Sequence, residues 1–239
     1  MKILAADTAL GACSCAVLED SKEGFKILAH RFVVMERGHA EALAPMAQEA
    51  MREAGLGFAG LDRLAVTVGP GTFTGQRVGL AFMRGLRVAL NRPLNGVTTL
   101  AAMAAQAMAK TGCGEVAVLH DARRGEVYYA LYRGDQVLIA PAVAPLADAC
   151  DAIRKTRGAG PLGVCGTAAD PALPHLGGDA VAAAIHMPDA LYVARLALAL
   201  PPSETAPRLL YLRAPDAKLP AVKLSGAKLP DVGQPRAAK

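Results

Sequence analysis

A chain of 239 residues, 53% hydrophobic and 20% charged, is long enough to bury a core of its own, as one large domain or two modest lobes. It contains no run of the roughly 20 uninterrupted apolar residues that a membrane span needs, and its five cysteines, odd in number and without CxxC spacing, exclude a disulfide framework and a zinc site. The formal charge of +5 is unevenly placed: from Arg63 to Gly114 there is no Asp or Glu, while Arg77, Arg84, Arg87, Arg92 and Lys110 all fall there, a field suited to phosphate or to an acidic surface.

The N-terminus carries one lysine, a very short apolar run and then Asp7, which reads as a first strand and not as a secretory signal. A reducing, cytoplasmic setting is expected. Residues 2–6 and 12–18 predict a hairpin, and 25–35 a third strand. Residues 40–54 place Leu43, Ala47, Ala50 and Ala54 at helical spacing, with Gly55 and Gly57 as a stop; Pro45 predicts a kink or a late start. A buried strand at 64–68 runs into Gly69-Pro70-Gly71, and Thr72 caps a helix to about residue 90. A strand at 94–97 and a helix at 99–110 follow. Strands at 115–120 and 126–133 flank the turn after Asp121, and 137–143 pairs with them across Gly134-Asp135. A helix at 147–155, a strand at 162–166 and a helix at 190–200 complete the series. The proline-broken segment 166–178 is expected to be loop. The organisation predicted is a lobe over residues 1–100, a second over 101–216, and a flexible basic tail over 217–239.

The most informative motif is Gly69-Pro70-Gly71-Thr72-Phe73-Thr74-Gly75-Gln76-Arg77-Val78-Gly79. It is a strand end, a glycine turn and a helix start. Amides at such a helix start form an anion site, and glycines permit close approach. No GK[ST] follows, so it is not a Walker loop, and the GxGxxxG spacing, with no acidic residue about 20 positions on, does not fit a dinucleotide fingerprint. Two readings stay open: a phosphate cradle or tight strand–helix packing. Asp7-Thr8 and Asp121, each following the first strand of its lobe, occupy positions for a nucleotide site, live or vestigial.

Several motifs in order resemble the bacterial TsaB (YeaZ) family, which serves the synthesis of threonylcarbamoyladenosine in tRNA. They are Asp7-Thr8; His39-Ala40-Glu41 with Leu43 and Pro45; the Gly69–Gly79 loop; Asp121-Ala122-Arg123-Arg124 with Glu126-Val127-Tyr128; and Tyr211-Leu212-Arg213-Ala214-Pro215. The resemblance runs from Met1 to about Ala217. Departures from the family pattern include Ala9 and Ala40, where a Ser is usual, Thr72 for Ser, and Gln76 for an aliphatic residue. The resemblance implies a two-lobed actin/Hsp70-like (ASKHA, ribonuclease-H-like) α/β fold. It implies a non-catalytic scaffold that pairs with the catalytic homologue TsaD, works with the ATPase TsaE and the adenylate made by TsaC, contacts tRNA indirectly and can self-associate. It implies no cofactor of the chain's own, with ATP at the partner interface. Two alternatives stay open: an ATP-dependent enzyme of the actin-like kinase superfamily, and a standalone RNA-binding protein.

The residues themselves favour a non-catalytic reading. Two histidines one helical turn apart would be needed for a metal site of the TsaD type, yet His39 is followed by Leu43 at that spacing, and His30, His120, His175 and His186 are scattered. A partner surface is expected on the first two helices, through His39, Leu43, Met46, Val78 and Phe82. Arg77 and Arg84 would flank it and fix its register.

Overall fold

The computed structural model describes residues 1–22 and 24–213. Residues 214–239, and with them the expected tail and the end of the Tyr211 motif, lie outside the described residues. The chain begins with strand β1 (Lys2–Asp7), continues through β2 (Ala12–Ser21) and β3 (Gly24–Val34), and adds β4 (Arg63–Thr67) and β5 (Leu94–Val97) to make one sheet in the order β3-β2-β1-β4-β5. β1 pairs antiparallel to β2 and parallel to β4, and this central strand, covered on both faces, is apolar from Ile3 to Ala6. Leu4 and Ala6 face a core shared with helices α1 (His39–Glu53) and α2 (Phe73–Leu90), whereas Ile3 and Ala5 face the opposite layer.

The second sheet consists of β6 (Glu115–Asp121), β7 (Glu126–Arg133), β8 (Gln136–Pro145), β9 (Leu162–Cys165) and β10 (Ala180–Ala182), in the order β10-β9-β6-β7-β8. β6 takes the part of β1: antiparallel to β7, parallel to β9. Counted from its first strand, each sheet therefore has the same order and the same directions. One face of the second sheet carries α3 (Thr99–Thr111), and the other carries α4 (Leu146–Thr156) and α5 (Ala169–Leu176).

Local chemistry sets the helix ends. Thr72 caps α2 by accepting from the Gly75 amide at 3.1 Å, and Asn91 closes it in the left-handed conformation at φ 51°. Thr98 caps α3 in the same way through the Ala101 amide, and Gly112 ends it at φ 72°. α1 starts at His39 and runs through Pro45 without a late start.

Three expectations change. Residues 166–178 are not loop, because α5 forms there. Pro171 sits in its first turn, where a missing N–H costs nothing, and Ala169, Ala172 and Leu176 bury one face. The helix α6 (Ala190–Ala199), numbered with the second lobe, returns to the first sheet and packs Ala190, Val193, Ala194 and Ala197 against Ile3, Ala5, Ala16 and Leu18. Arg63, buried, ties its end by donating to the carbonyls of Ala197 and Leu200, both at 2.8 Å. Residues 201–213 then form no regular element but cross the first lobe as a strap. Asn95 donates to the Pro201 carbonyl at 2.8 Å, Arg87 to that of Glu204 and Arg84 to that of Pro207, both at 2.5 Å. The Leu210 amide donates to the Val68 carbonyl at 2.7 Å. The arginines expected to flank a partner surface thus hold the chain's own C-terminal segment. Among the described residues no helix is long and apolar enough to cross a membrane.

Candidate functional site

The glycine loop meets the end of β1. A Cβ on Gly71 would stand 2.4 Å from the Ala9 carbonyl oxygen, one on Gly75 2.1 Å from that of Thr8, and one on Gly79 2.6 Å from Thr8 Oγ1. The glycines are consumed by close packing of the α2 start on the turn Asp7-Thr8-Ala9. The contact is sealed by hydrogen bonds: the Thr72 amide donates to the Ala9 carbonyl at 2.8 Å, and the Thr8 hydroxyl to the Gly75 carbonyl at 2.7 Å. Gly69 is required differently, since it adopts φ 101° and a Cβ there would meet Gln76 Oε1 at 2.4 Å. Gln76, unusual at its position in the loop, is buried and donates to the Gly71 carbonyl at 2.9 Å. Of the two readings of the loop, the geometry is that of packing.

Asp7 and Thr8 are wholly buried beneath this contact. Asp7 Oδ1 accepts from Thr67 Oγ1 at 2.5 Å and from the Ala9 amide at 3.2 Å, while Oδ2 has no partner. Burial pushes the carboxyl up from 3.8 to about 7, and the two hydrogen bonds counter only part of that. Asp121 is exposed: its Oδ1 accepts from the Arg123 amide at 2.7 Å, and its own amide donates to Thr167 Oγ1 at 2.9 Å. The two aspartates expected to share a nucleotide site are therefore not brought to one surface. Asp121 borders the space between the lobes, and Asp7 is shut off from it.

That space is a cleft of about 500 Å³, walled by Pro70–Phe73 and Arg77 on one side, by His120–Arg123 on the other, and by the strap residues Leu210–Arg213. Thr74 is exposed. Arg77 stacks 3.2 Å over the centre of the Phe73 ring and donates through Nε to the Tyr211 hydroxyl at 3.0 Å. Arg213 donates to the Ala122 carbonyl at 2.8 Å and pairs with Glu126, so the strap reaches from the first lobe to the second. Arg123, Arg124 and Gly125 adopt φ of 66°, 59° and 75°, three left-handed residues in succession. His120 is buried in the cleft wall, its Nδ1 without a partner, and desolvation lowers its pKa to about 4, so the imidazole is neutral. Thr67, His120 and the strap residues are not visible as site residues in sequence, because their partners lie 60 or more positions away or are absent. Gln76 carried a signal, as a polar residue at an aliphatic position.

The expected partner surface needs correction. Leu43 and Met46 are 1% and 8% exposed and belong to the core under the first sheet, because α1 packs against both β2 and α2 and so buries a broader face than one stripe. His39 is half-buried and clasps the β1–β2 turn, its Nε2 standing 2.9 Å from the Leu10 carbonyl. Val78 and Phe82, both on α2, remain partly exposed at the edge of the same core.

Two five-stranded sheets of identical order, each flanked by helices and facing one another across a cleft, define the two-lobed actin-like, ribonuclease-H-like class. Residues 29–169 match the family model described as "TsaD: tRNA N6-adenosine threonylcarbamoyltransferase". TsaB of Escherichia coli K12, a "tRNA threonylcarbamoyladenosine biosynthesis protein", is 40% identical over 136 residues, a stretch covering 57% of this chain and 57% of that protein. A crystal structure from Pseudomonas aeruginosa, described as an uncharacterized protein with similarity to peptidase YEAZ, superposes with a TM-score of 0.75 at 31% identity, over 89% of this chain and 99% of that one. A second, described as YeaZ from the same organism, gives 0.68 at 30% identity, over 82% and 91%. The chain belongs to the TsaB/YeaZ family.

Proposed function

We propose that this protein serves the synthesis of threonylcarbamoyladenosine in tRNA as a non-catalytic subunit, pairing with the catalytic homologue TsaD through the exposed face of α1 and α2. The observation that carries the reading is the filled seat at the end of β1. In a chain 40% identical to a TsaB protein over 136 residues, Gly71 and Gly75 press on the backbone of Thr8 and Ala9 and leave the Asp7 carboxyl fully buried, its pKa raised by desolvation, and out of reach of a phosphate or an attacking water. On this reading the ATP chemistry belongs to the partners: TsaC supplies the threonylcarbamoyl-adenylate and TsaE the ATPase. Where TsaD is absent, the same surface pairs two copies of the chain.

Two measurements test it. The purified protein, given threonylcarbamoyl-adenylate and tRNA, produces no modified adenosine unaided; product formed by this chain alone refutes the non-catalytic role. Val78→Glu places a carboxylate at a partly exposed position at the core's edge, so the variant is expected to fold and to lose co-purification with TsaD of the same organism. Undiminished capture of TsaD by that variant moves the interface elsewhere.

A further inference from the structure

The residues proposed for pairing lie on one flank of α2, and the opposite flank has a different chemistry. At 3.6 residues per turn, Arg84 stands about 200° around the helix from Phe82. Arg84 and Arg87, one turn apart, each donate a terminal nitrogen to a carbonyl of the strap, those of Pro207 and Glu204. Both acceptors are neutral, so the two guanidinium charges stay uncompensated. Arg208 follows Pro207 in the strap and Arg92 follows the end of α2, and both are exposed. None of these four arginines forms an ion pair among the described residues. Arg87 and Arg92 line a surface groove of about 480 Å³ between the helix end and residues 202–204, bordered by a single carboxylate, Glu204. The sequence from Arg63 to Gly114 supplies no other acid to offset them.

We propose that Arg84, Arg87, Arg92 and Arg208 form a face that holds the phosphate backbone of tRNA directly, with one phosphate seated between Arg87 and Arg92. This rests on the reading that the chain serves tRNA modification, and it uses a flank of α2 that pairing through Val78 and Phe82 leaves open. Phosphate fits the face better than an acidic protein does. A protein contact centres on apolar and aromatic anchors, whereas the one large hydrophobic side chain exposed among the groove residues is Val88. Arginine's planar fork matches two phosphate oxygens, and its charge survives in any setting. The strap bonds add order: Arg84 and Arg87 are held before the ligand arrives, so less side-chain freedom is lost on binding.

The test titrates a fluorescently labelled, unmodified tRNA transcript with the full chain, by polarisation, from about 50 to 200 mM salt. Each cation that touches a phosphate contributes about 0.7–0.9 to the slope of log K against log salt. Arg92→Gln/Arg208→Gln alters two exposed side chains that take no part in holding the strap, so the double variant is expected to fold as the parent does. It should lower the slope by about 1.4–1.8 and weaken binding about tenfold at the lowest salt. Glu204→Gln, which removes the carboxylate beside the groove, should strengthen binding severalfold. Arg195→Gln makes the same charge change on α6, across the first sheet from α2, and should leave affinity and slope unchanged. Lysines beyond residue 213 give every variant the same background. The proposal is overturned if the parent does not saturate by about 100 μM, the weak end of non-specific binding, or if the double variant keeps the parental slope. It is overturned equally if Arg195→Gln lowers the slope as much, which marks diffuse attraction, or if the double variant keeps tRNA and loses TsaD, which marks a protein interface. The titrations use the chain without TsaD, and pairing is read from Val78→Glu, so either reading can fail while the other stands.

Discussion

Gly75→Ala is a small change with a large expected effect. On an exposed helix position Ala is favoured over Gly by about 1 kcal/mol, so helix propensity alone predicts a more stable protein. At Gly75, however, the new methyl would sit 2.1 Å from the Thr8 carbonyl oxygen, a backbone atom of the central strand's end that cannot turn aside. Relief requires the start of α2 to lift away from the turn. That movement strains the Thr8 hydroxyl bond to the Gly75 carbonyl, 2.7 Å long and buried, and the Thr72 amide bond to the Ala9 carbonyl at 2.8 Å. Overpacking costs about 1–3 kcal/mol and a weakened buried hydrogen bond about 1 kcal/mol, which gives a net loss of about 2–4 kcal/mol. For a chain of this size that lowers Tm by roughly 5–15 °C. Gly85, on the same helix but with open space around its Cα, supplies the control: Gly85→Ala is expected to raise stability by up to about 1 kcal/mol. Circular dichroism melts and urea titrations of both variants decide the matter. A Gly75→Ala protein as stable as its parent would show that the helix start is not pressed on the turn, and the account of the filled seat would fall with it.

Two further outcomes follow from burial. Asp7 has a folded-state pKa of about 7 against the ordinary 3.8, so the folded protein holds the proton more tightly than the unfolded chain does. Its contribution therefore declines as pH rises from about 4 to 7, by on the order of 4 kcal/mol in all. Asp7→Asn, which keeps the acceptor for Thr67, should flatten urea midpoints measured from pH 4.5 to 8, and an unaltered profile would refute the assignment. Met46→Glu, by contrast with Val78→Glu, puts a charge into the core and should cost about 3 kcal/mol or more; a cooperative melt at the parental temperature would return Met46 to the surface.

Much of the fold was legible because its signals are local. The Thr72 cap, the stop at Gly55, the Gly134-Asp135 turn and the apolar runs of β1 and β4 each act within a few residues, and they place most elements within a residue or two. α5 escaped because prolines at 171 and 174 weigh against a helix in any local reading, although the first sits where the helix tolerates it and burial of Ala172 and Leu176 outweighs the second. The strap escaped for a different reason. Arg77, Arg84 and Arg87 meet partners 134, 123 and 117 residues away, and no periodicity announces that. Met46 lies off the stripe of Leu43, Ala47, Ala50 and Ala54 that local periodicity marks, yet a helix seated between a sheet and a second helix buries more than one stripe.

The filled seat and the strap act on the same helix. α2 is pressed on the β1–β2 turn at its start, through Gly71, Gly75 and Gly79, and bound along its flank by Arg84 and Arg87 to residues 204–207. Its remaining open edge, with Val78 and Phe82 beside α1, is thereby held in one orientation before any partner arrives. Association costs less free energy when the surface is already ordered, so packing that fills the end of β1 also orders the surface proposed for pairing. The two consequences come from the same glycines, and a variant that loosens the helix start should weaken both stability and capture of TsaD.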